Sequence, residues 1–488
     1  MTPCLFGMET EYAIGGVSAT GHVLKPHDLL PMLLDRARTT LPSLRDSSGG
    51  VFLANGSRLY GDSGSHPELC TPECTNPWDV VRYVRAGERM LVGLLDRIRA
   101  SRADIADLWL HSTNVSYGAT PTTWGCHESY LARTRPVALS PHLVPHLASR
   151  VIFTGAGGFN PRSGDIEFTL SPRAVFFDRA FSAESTTARG IFHTKDEPLA
   201  SGDYHRVHVI YGESLRSDVA AWLKVGTTAL VIAMVDNGVE FARDVQLAST
   251  EALGAIAADP DGRIDVQLAS GGRTTALALQ RHYLAQASRH ADASFMPPWA
   301  RQVIRAWSDM LDRIERRDGS LHTRLDWAIK QALFAGFVER RGIKWTSLRD
   351  RHNLHCDRSD KVRTLRHQLF ELDTKFGRLG PAGVFSALDR RPGVLAHRLG
   401  DDRAVEEAVE RPPGSGRAHV RGTVIRRLAG RRDYVAGWNG IVHDYVDCAL
   451  DLSDPFASDE RWVTHDGRPL APEELPLASP GSNETWTP

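Results

Sequence analysis

Arg58, Tyr60 and Asp62 stand at every second position of Asn55–Glu68, which reads N-G-S-R-L-Y-G-D-S-G-S-H-P-E. Alternate residues of a strand face the same way, so a guanidinium, a phenol and a carboxylate would share one sheet face. Charged groups are rarely buried without partners, which argues that this face is not core. The Gly-Ser-His-Pro-Glu that follows turns the chain and brings His66 and Glu68 close by. Glu9 and Glu11 repeat the spacing in Gly7–Tyr12. Two strands with carboxylates on one face suit a divalent cation, whose hard oxygen ligands hold it against phosphates. The same alternation also describes two half-exposed strands with solvated charges.

Further polar groups fall where turns meet strands. Gly125–Tyr130 offers His127, and Arg206–Ile210 puts Arg206 and His208 on one strand face with its valines on the other. Taken together, Glu9, Glu11, Arg58, Tyr60, Asp62, Glu68, His127 and His208 suit a metal cradle with an arginine, built to take a nucleoside triphosphate. Such a site could activate a carboxylate as an acyl phosphate for attack by an amine or by water. The two common nucleotide folds are disfavoured. Thr154–Gly158 (T-G-A-G-G) does not open a helix as GxGxxG, and no GxxxxGK[ST] occurs. No GxSxG elbow or kinase signature set is present either. The glycines at 155, 157 and 158 could still let backbone approach a ligand.

The elements that must position these groups are legible as periodicities. Helices are predicted over 24–42 (Leu29, Leu30, Leu33, Leu34), 77–100 (Val80, Val81, Val84, Met90, Leu91, Leu94) and 298–316 (Val303, Trp307, Leu311, Ile314). Another is predicted near 321–340 (Leu325, Ile329, Leu333, Phe337). Trp222–Asn237 is apolar almost all round and predicted as a buried helix that Gly238 ends. Leu108–Leu110 and Val151–Phe153 read as short strands. Strands and helices without strict βαβ alternation predict an α+β fold. The Pro-Pro-Gly-Ser-Gly run within Arg411–Gly416 marks a junction. The tail, rich in Pro, Ser, Gly and Asn, is predicted to be disordered.

Length and charge bound the rest. The chain has 488 residues, 58 basic against 59 acidic, for a formal net charge of −1. Nothing in that balance draws it to nucleic acid or membrane. The N-terminus lacks a basic segment followed by an apolar one, so no signal peptide is expected. The longest apolar run, Ala229–Val235, is too short to span a bilayer. A cytoplasmic protein is expected. Six scattered cysteines, at 4, 70, 74, 126, 356 and 448, are too sparse for a disulfide framework. Cys70-x-x-x-Cys74 and His352-x-x-His355-Cys356 each lack a matching second pair, which disfavours zinc.

Phe6–Tyr12, Asn55–Glu68, Arg85–Arg89, Gly125–Tyr130, Asp196–Pro198, Arg206–Ile210, Leu223–Thr227 and Pro412–Gly422 resemble the Pup ligase and Pup deamidase/depupylase family. The likeness runs from near residue 6 to about 450. It implies a glutamine-synthetase-like catalytic domain (1–410) with a curved, mostly antiparallel sheet packed by helices. A small C-terminal domain (411–475) and a tail (476–488) would follow. It also implies use of ATP and Mg²⁺, and chemistry at the C-terminal γ-carboxylate or γ-amide of the ubiquitin-like protein Pup. Motif by motif, the resemblance makes Glu9, Tyr60 and Glu68 magnesium ligands, with His127 and His208 as additional ones. Arg58 and Thr71 would touch ATP, and Trp438 would contact the nucleotide. Asp62 matches the catalytic aspartate. That role is chemically apt, because a lysine amine with pKa near ~10.4 must lose a proton before it attacks.

Ligase is the leading reading. Tyr60–Glu68 has the ligase-type length, Gly125–Glu128 is ligase-like, and residues 13–50 lack the long insertion usual in deamidases. Pup would then be joined to lysine-bearing protein substrates. Wording in Thr71–Thr75, Glu184–Thr187 and Leu277–Tyr283 leans instead toward the hydrolase, which would deamidate Pup or remove it from conjugates. A non-catalytic Pup-binding homologue is the third alternative. The family's Arg-Asp-Glu-Pro-His-Ala-Asp is Lys195–Ser201 here, with Lys195 and Leu199 as departures. Lysine keeps the charge but not the bidentate fork. His111-Ser112-Thr113 replaces the usual Lys-Asn-Asn.

Overall fold

In a computed structural model, described for residues 4–62, 64–184, 188–194, 202–346 and 360–476, the alternating segments pair into one large sheet. In chain order its strands are β1 (Phe6–Glu11), β2 (Ser43–Arg45), β3 (Val51–Leu53), β4 (Arg58–Asp62), β5 (His66–Cys70) and β6 (Cys126–Ala132). They continue with β7 (Phe177–Ser182), β8 (Arg189–His193) and β9 (His205–Val209). The nine strands lie in the order β7-β8-β9-β6-β1-β5-β4-β3-β2. Every pair is antiparallel except β7 with β8. With helices covering one face, this is the α+β class that the alternation predicts.

One face of the sheet is core. Met8, Leu59, Leu69, Tyr130 and Val207 are buried. Met8, Tyr130 and Val207 meet Val80 and Val84 of helix α1 (Pro77–Ser101) and Leu223 of helix α2 (Asp218–Val235) in a single hydrophobic cluster. Helix α1 starts where Asn76 accepts a hydrogen bond from the Asp79 amide (2.9 Å) and Pro77 needs no donor partner. Gly87 lets it settle onto Leu69 of β5, where a β-carbon would collide. Helix α2 begins four residues earlier than its apolar run, because Ser217 caps the Ala220 amide. Gly238, at φ +83°, closes its end. By length and composition alone α2 would pass as a membrane span, yet 94% of that stretch is buried in the fold. It is a core helix.

Beneath the sheet α2 carries Lys224, which lies 3.6 Å from Glu128 of β6. The Arg150 guanidinium grips both oxygens of that carboxylate at 2.5 and 2.9 Å, and the Tyr130 hydroxyl donates to it at 2.6 Å. A buried charge is tolerated only when its hydrogen bonds are this complete. The network anchors β6, whose opposite face carries His127.

Three details depart from the sequence reading. Val151–Thr154 is helical, not a strand; it follows the helix Pro136–Ser149 and is buried on all sides. Such a short apolar run has no alternation to distinguish the two forms. The segment near 321–340 divides into a 3₁₀ turn, Gly319–Thr323, and a helix, Asp326–Glu339. The Gly155–Gly158 loop approaches protein rather than a ligand. Lys330 donates to the Gly157 carbonyl (3.0 Å), and a β-carbon at Gly157 would strike Trp327. The predicted disordered tail, apart from its first residue, and the zinc-like His352–Cys356 cluster lie outside the described residues.

At the far edge, helix Arg417–Leu428 and a four-stranded antiparallel sheet (Tyr434–Ala436, Gly440–His443, Ala449–Asp451, Trp462–Val463) share a core with Leu44, Phe52 and Ala54 of the large sheet's edge. We propose that the domain boundary falls in the preceding loop, 411–416.

Candidate active site

The other face of the sheet gathers the predicted residues through strand register. Glu9 of β1 stands opposite His127 of β6 and Cys70 of β5. Glu11 faces Glu68, and Glu68 faces Tyr60 of β4. Asp62 pairs with His66 across the hairpin, and His208 pairs with Ser129. Cross-strand partners point to the same side, so β9, β6, β1, β5 and β4 all contribute to one cradle. The hairpin between β4 and β5 needs left-handed backbone at Gly64 (φ +83°) and Ser65 (φ +62°).

Two sets of ligand atoms are drawn together: Glu9, His127 and His208, and Glu11, Glu68 and His127, each within 4.8 Å. His127 lies 3.7 Å from Glu9, 3.6 Å from Glu11 and 3.8 Å from Glu68. His208 lies 3.6 Å from Glu9. Their electrostatics diverge. Burial would push the Glu9 carboxyl up, but Arg206 and His208 beside it, with His127 also close by, hold it well below the usual range. Burial drives Glu68 well above that range, reinforced by Glu9 and Glu11. Burial, then Arg206, lowers His208 to about 4, leaving a neutral imidazole with a free lone pair.

The residues fit a hard divalent cation. Glu68 Oε1 and both ring nitrogens of His208 are buried without a hydrogen-bond partner. A bound cation would satisfy these atoms and relieve the repulsion that raises Glu68. Tyr60 stands across from Glu68, and burial holds its phenol well above its ordinary range. Glu11, which the family comparison left without a role, belongs to the second set of ligand atoms.

Two of the residues expected at the nucleotide, Thr71 and Trp438, occupy the other end of β1. Thr71 and Trp438 line a cavity with Phe6, Gly7, Glu9, Glu73, Arg206 and Arg417. Thr71 Oγ1 accepts from the Met8 amide at 3.1 Å. Arg58 stands apart on β4, its guanidinium over the Tyr60 ring at 4.1 Å and bonded to Asp46 at 2.8 Å. Asp62, at the Glu11 end, is exposed.

Several participants escaped the sequence reading. Arg206 donates to Ser129 (3.0 Å) and pairs with Glu9; its shared strand face with His208 was the available signal. Asp46, which holds Arg58, and Glu73, which is clamped by Arg417 (2.6 Å) and Arg421, had none. Lys195 and Leu199 lie outside the described residues.

With this geometry in place, the comparisons with known proteins are specific. The family described as Pup-ligase protein matches residues 4–442. Pup–protein ligase 1 of Rhodococcus erythropolis is 36% identical over 472 residues, covering 94% of this chain and 97% of its own. The Pup–protein ligase of Saccharomonospora viridis is 36% identical over 475 residues, covering 94% and 97%. Among solved structures, the complex between the prokaryotic ubiquitin-like protein Pup and its ligase PafA superposes with a TM-score of 0.78 at 28% identity, covering 94% of this chain and 90% of that one. The ligase PafA in complex with ADP gives 0.71 at 28% identity, covering 89% and 92%.

Proposed function

This chain belongs to the Pup-ligase family, and on that premise we propose that it is an ATP-dependent ligase joining the C-terminal glutamate of Pup to lysines of protein substrates. The observation that carries the reading is the single sheet face on which a metal-binding carboxylate–histidine cluster lies between a nucleotide cavity and an exposed aspartate. The hydrolase and binding-only alternatives are not favoured, since the relatives compared are ligases.

Glu9, Tyr60, Glu68, His127 and His208 would hold Mg²⁺, with Glu11 added from the geometry. When bound, the cation offsets the negative charge of the phosphates as the glutamate γ-carboxylate is activated. The residues' own work can be stated separately. Thr71 and Trp438 bind the nucleotide at the Phe6 end of β1. Arg58, fixed by Asp46 and stacked on Tyr60, presents a fork suited to phosphate oxygens. Arg206 fixes the Glu9 carboxylate. Asp62 receives the incoming lysine: its carboxylate takes the ammonium proton, the nitrogen bonds to the carboxyl carbon of the activated γ-carboxyl group, and the bond from that carbon to the phosphate oxygen breaks, releasing inorganic phosphate. A supply of ATP places this chemistry in the cytoplasm.

The test is incubation of the purified protein with ATP, Mg²⁺, Glu-ended Pup and a lysine-bearing acceptor, read by intact mass. The expected product weighs the sum of both partners less one water, with ADP formed. Cleavage of a preformed conjugate without any ligation would overturn the reading.

A further inference from the structure

Beyond Glu11, at the end of the cradle away from the nucleotide cavity, lies a group of guanidiniums that the chemistry above does not use. Arg173 is 3% exposed, and its Nε is buried without a hydrogen-bond partner. Arg189, at the start of β8, donates to Thr123 Oγ1 at 2.5 Å, while its Nε is likewise buried and unpartnered. Arg162 lies over Phe176 at 4.6 Å, and Arg189 lies over the same ring at 5.6 Å. Burial, then the Arg173 charge, lowers Arg189 to about 10, with Arg162 adding to the effect. Three like charges stand together, Arg173 buried, Arg189 half-buried and Arg162 exposed at the rim.

Among the described residues, the carboxylates that act on this group are shared with other partners. Glu11 interacts with Arg173 and Arg189, but it also hydrogen-bonds His66 (3.2 Å) and faces His127. Glu213, whose charge also acts on Arg173, accepts from the Ala156 and Arg173 amides and the Ser171 hydroxyl. Asp178 is held by Arg179 and acts only more weakly on Arg162. Trp124, which packs on His66 at 5.3 Å, adds another buried donor without a partner, its Nε1. Unpaired buried donors are costly, so this corner is poised for an anion.

The position of the group tells which anion. β1 runs from the nucleotide cavity at Phe6 and Gly7 to Glu11, and Asp62 and His66 mark the same end as Glu11. The glutamate to be activated must therefore enter from the Glu11 end. A C-terminal glutamate carries two carboxylates, and the one that does not react needs a partner. We propose that Arg189, with Arg173 behind it and Arg162 at the rim, binds the free α-carboxylate of Pup's C-terminal glutamate and so selects a terminal over an internal glutamate. The assignment rests on the ligase reading. A guanidinium fork matches a carboxylate in two hydrogen bonds, and a glutamate lacking that charge would leave the buried donors unpaired.

The experiment compares two forms of Pup, one ending in glutamate and one ending in the synthetic α-carboxamide with its γ-carboxylate intact. Wild type is expected to prefer the carboxylate by ~10²–10³-fold in kcat/KM. Arg189→Gln should lose about that factor with the natural end, chiefly through KM for Pup, leave KM for ATP unchanged, and reduce the preference to roughly threefold or less. Retention of the wild-type preference in the variant overturns the assignment, as does absence of any preference in wild type. If Arg189→Gln does not fold, Arg189→Lys keeps charge and stem without the fork. Its preference should fall at least ~10-fold, and an unchanged preference there refutes the proposal equally. If wild type forms no ATP-dependent adduct with either end, it is the ligase reading that fails.

Discussion

Glu73→Gln tests how the small C-terminal unit is tied to the end of the sheet where the proposed nucleotide cavity lies. Glu73 sits between Arg417, 2.6 Å away, and Arg421, whose side chains are 2% and 0% exposed. Arg421 also donates to the Trp438 carbonyl (3.1 Å) and lies over the Trp438 ring at 4.9 Å. One carboxylate thus joins the segment after β5 to the helix and tryptophan that complete the cavity. Burial alone would raise its pKa; Arg421 and then Arg417 reverse that and bring it from 4.5 to about 2. The folded value lies below the unfolded one, so the stabilisation is present in full above about 4.5 and is lost as pH falls through about 2. At ~1.4 kcal/mol per tenfold change, the contribution at neutral pH is about 3 kcal/mol. Leaving buried guanidiniums uncompensated costs ~3–5 kcal/mol by a separate route, and the two figures agree. Urea unfolding at pH 7 should therefore show Glu73→Gln less stable by about 3 kcal/mol, with the gap to wild type roughly halved at pH 3. KM for ATP should rise while KM for Pup stays near wild type. A gap below ~1 kcal/mol, or one indifferent to pH, would refute the reasoning.

The remaining predictions concern the cradle and its support. Asp62→Asn should lower kcat by ~10²–10⁴-fold with ATP affinity within about threefold of wild type, measured by single-turnover conjugation and calorimetry; a near-wild-type rate would remove Asp62 from the mechanism. Glu68→Gln should weaken Mg²⁺-dependent ATP binding by at least ~10-fold, whereas unchanged affinity would dismiss the cradle as a metal site. Gly212→Ala should cost ~1–3 kcal/mol in thermal unfolding, because its β-carbon would be driven into the Cys126 carbonyl beside buried Lys224 and Glu128; an unshifted melting temperature would show that β6 can yield there.

The cradle was legible because its code is local. A two-residue alternation says which side chains share a face, and Arg58, Tyr60, Asp62, Glu9 and Glu11 follow it within two short segments. His127 and His208 are added by register, which places Glu9 opposite one and the other next to it in the strand order. Pairings between distant segments carried no such signal. Glu73 meets Arg417 across 344 positions, and Arg206 reaches Glu9 across 197. Asp46 is only twelve residues from Arg58, yet it reaches it from a different strand turn. Val151–Phe153 was misread for another reason: a fully buried run shows no alternation, so β-branched composition pointed to a strand while the preceding helix carried it on. The family resemblance named ligands but not Glu11, whose place in the cluster depends on the facing Glu68.

The most direct test of the central claim, that this face activates the glutamate γ-carboxylate with ATP, is trapping with hydroxylamine. Wild-type protein, ATP, Mg²⁺ and Glu-ended Pup, without a lysine acceptor, should convert Pup's terminal glutamate to the γ-hydroxamate as ADP forms. Asp62→Asn should still yield hydroxamate, since hydroxylamine attacks without losing an ammonium proton at neutral pH. Formation of ADP with no hydroxamate, or hydroxamate formed without ATP, would contradict the account.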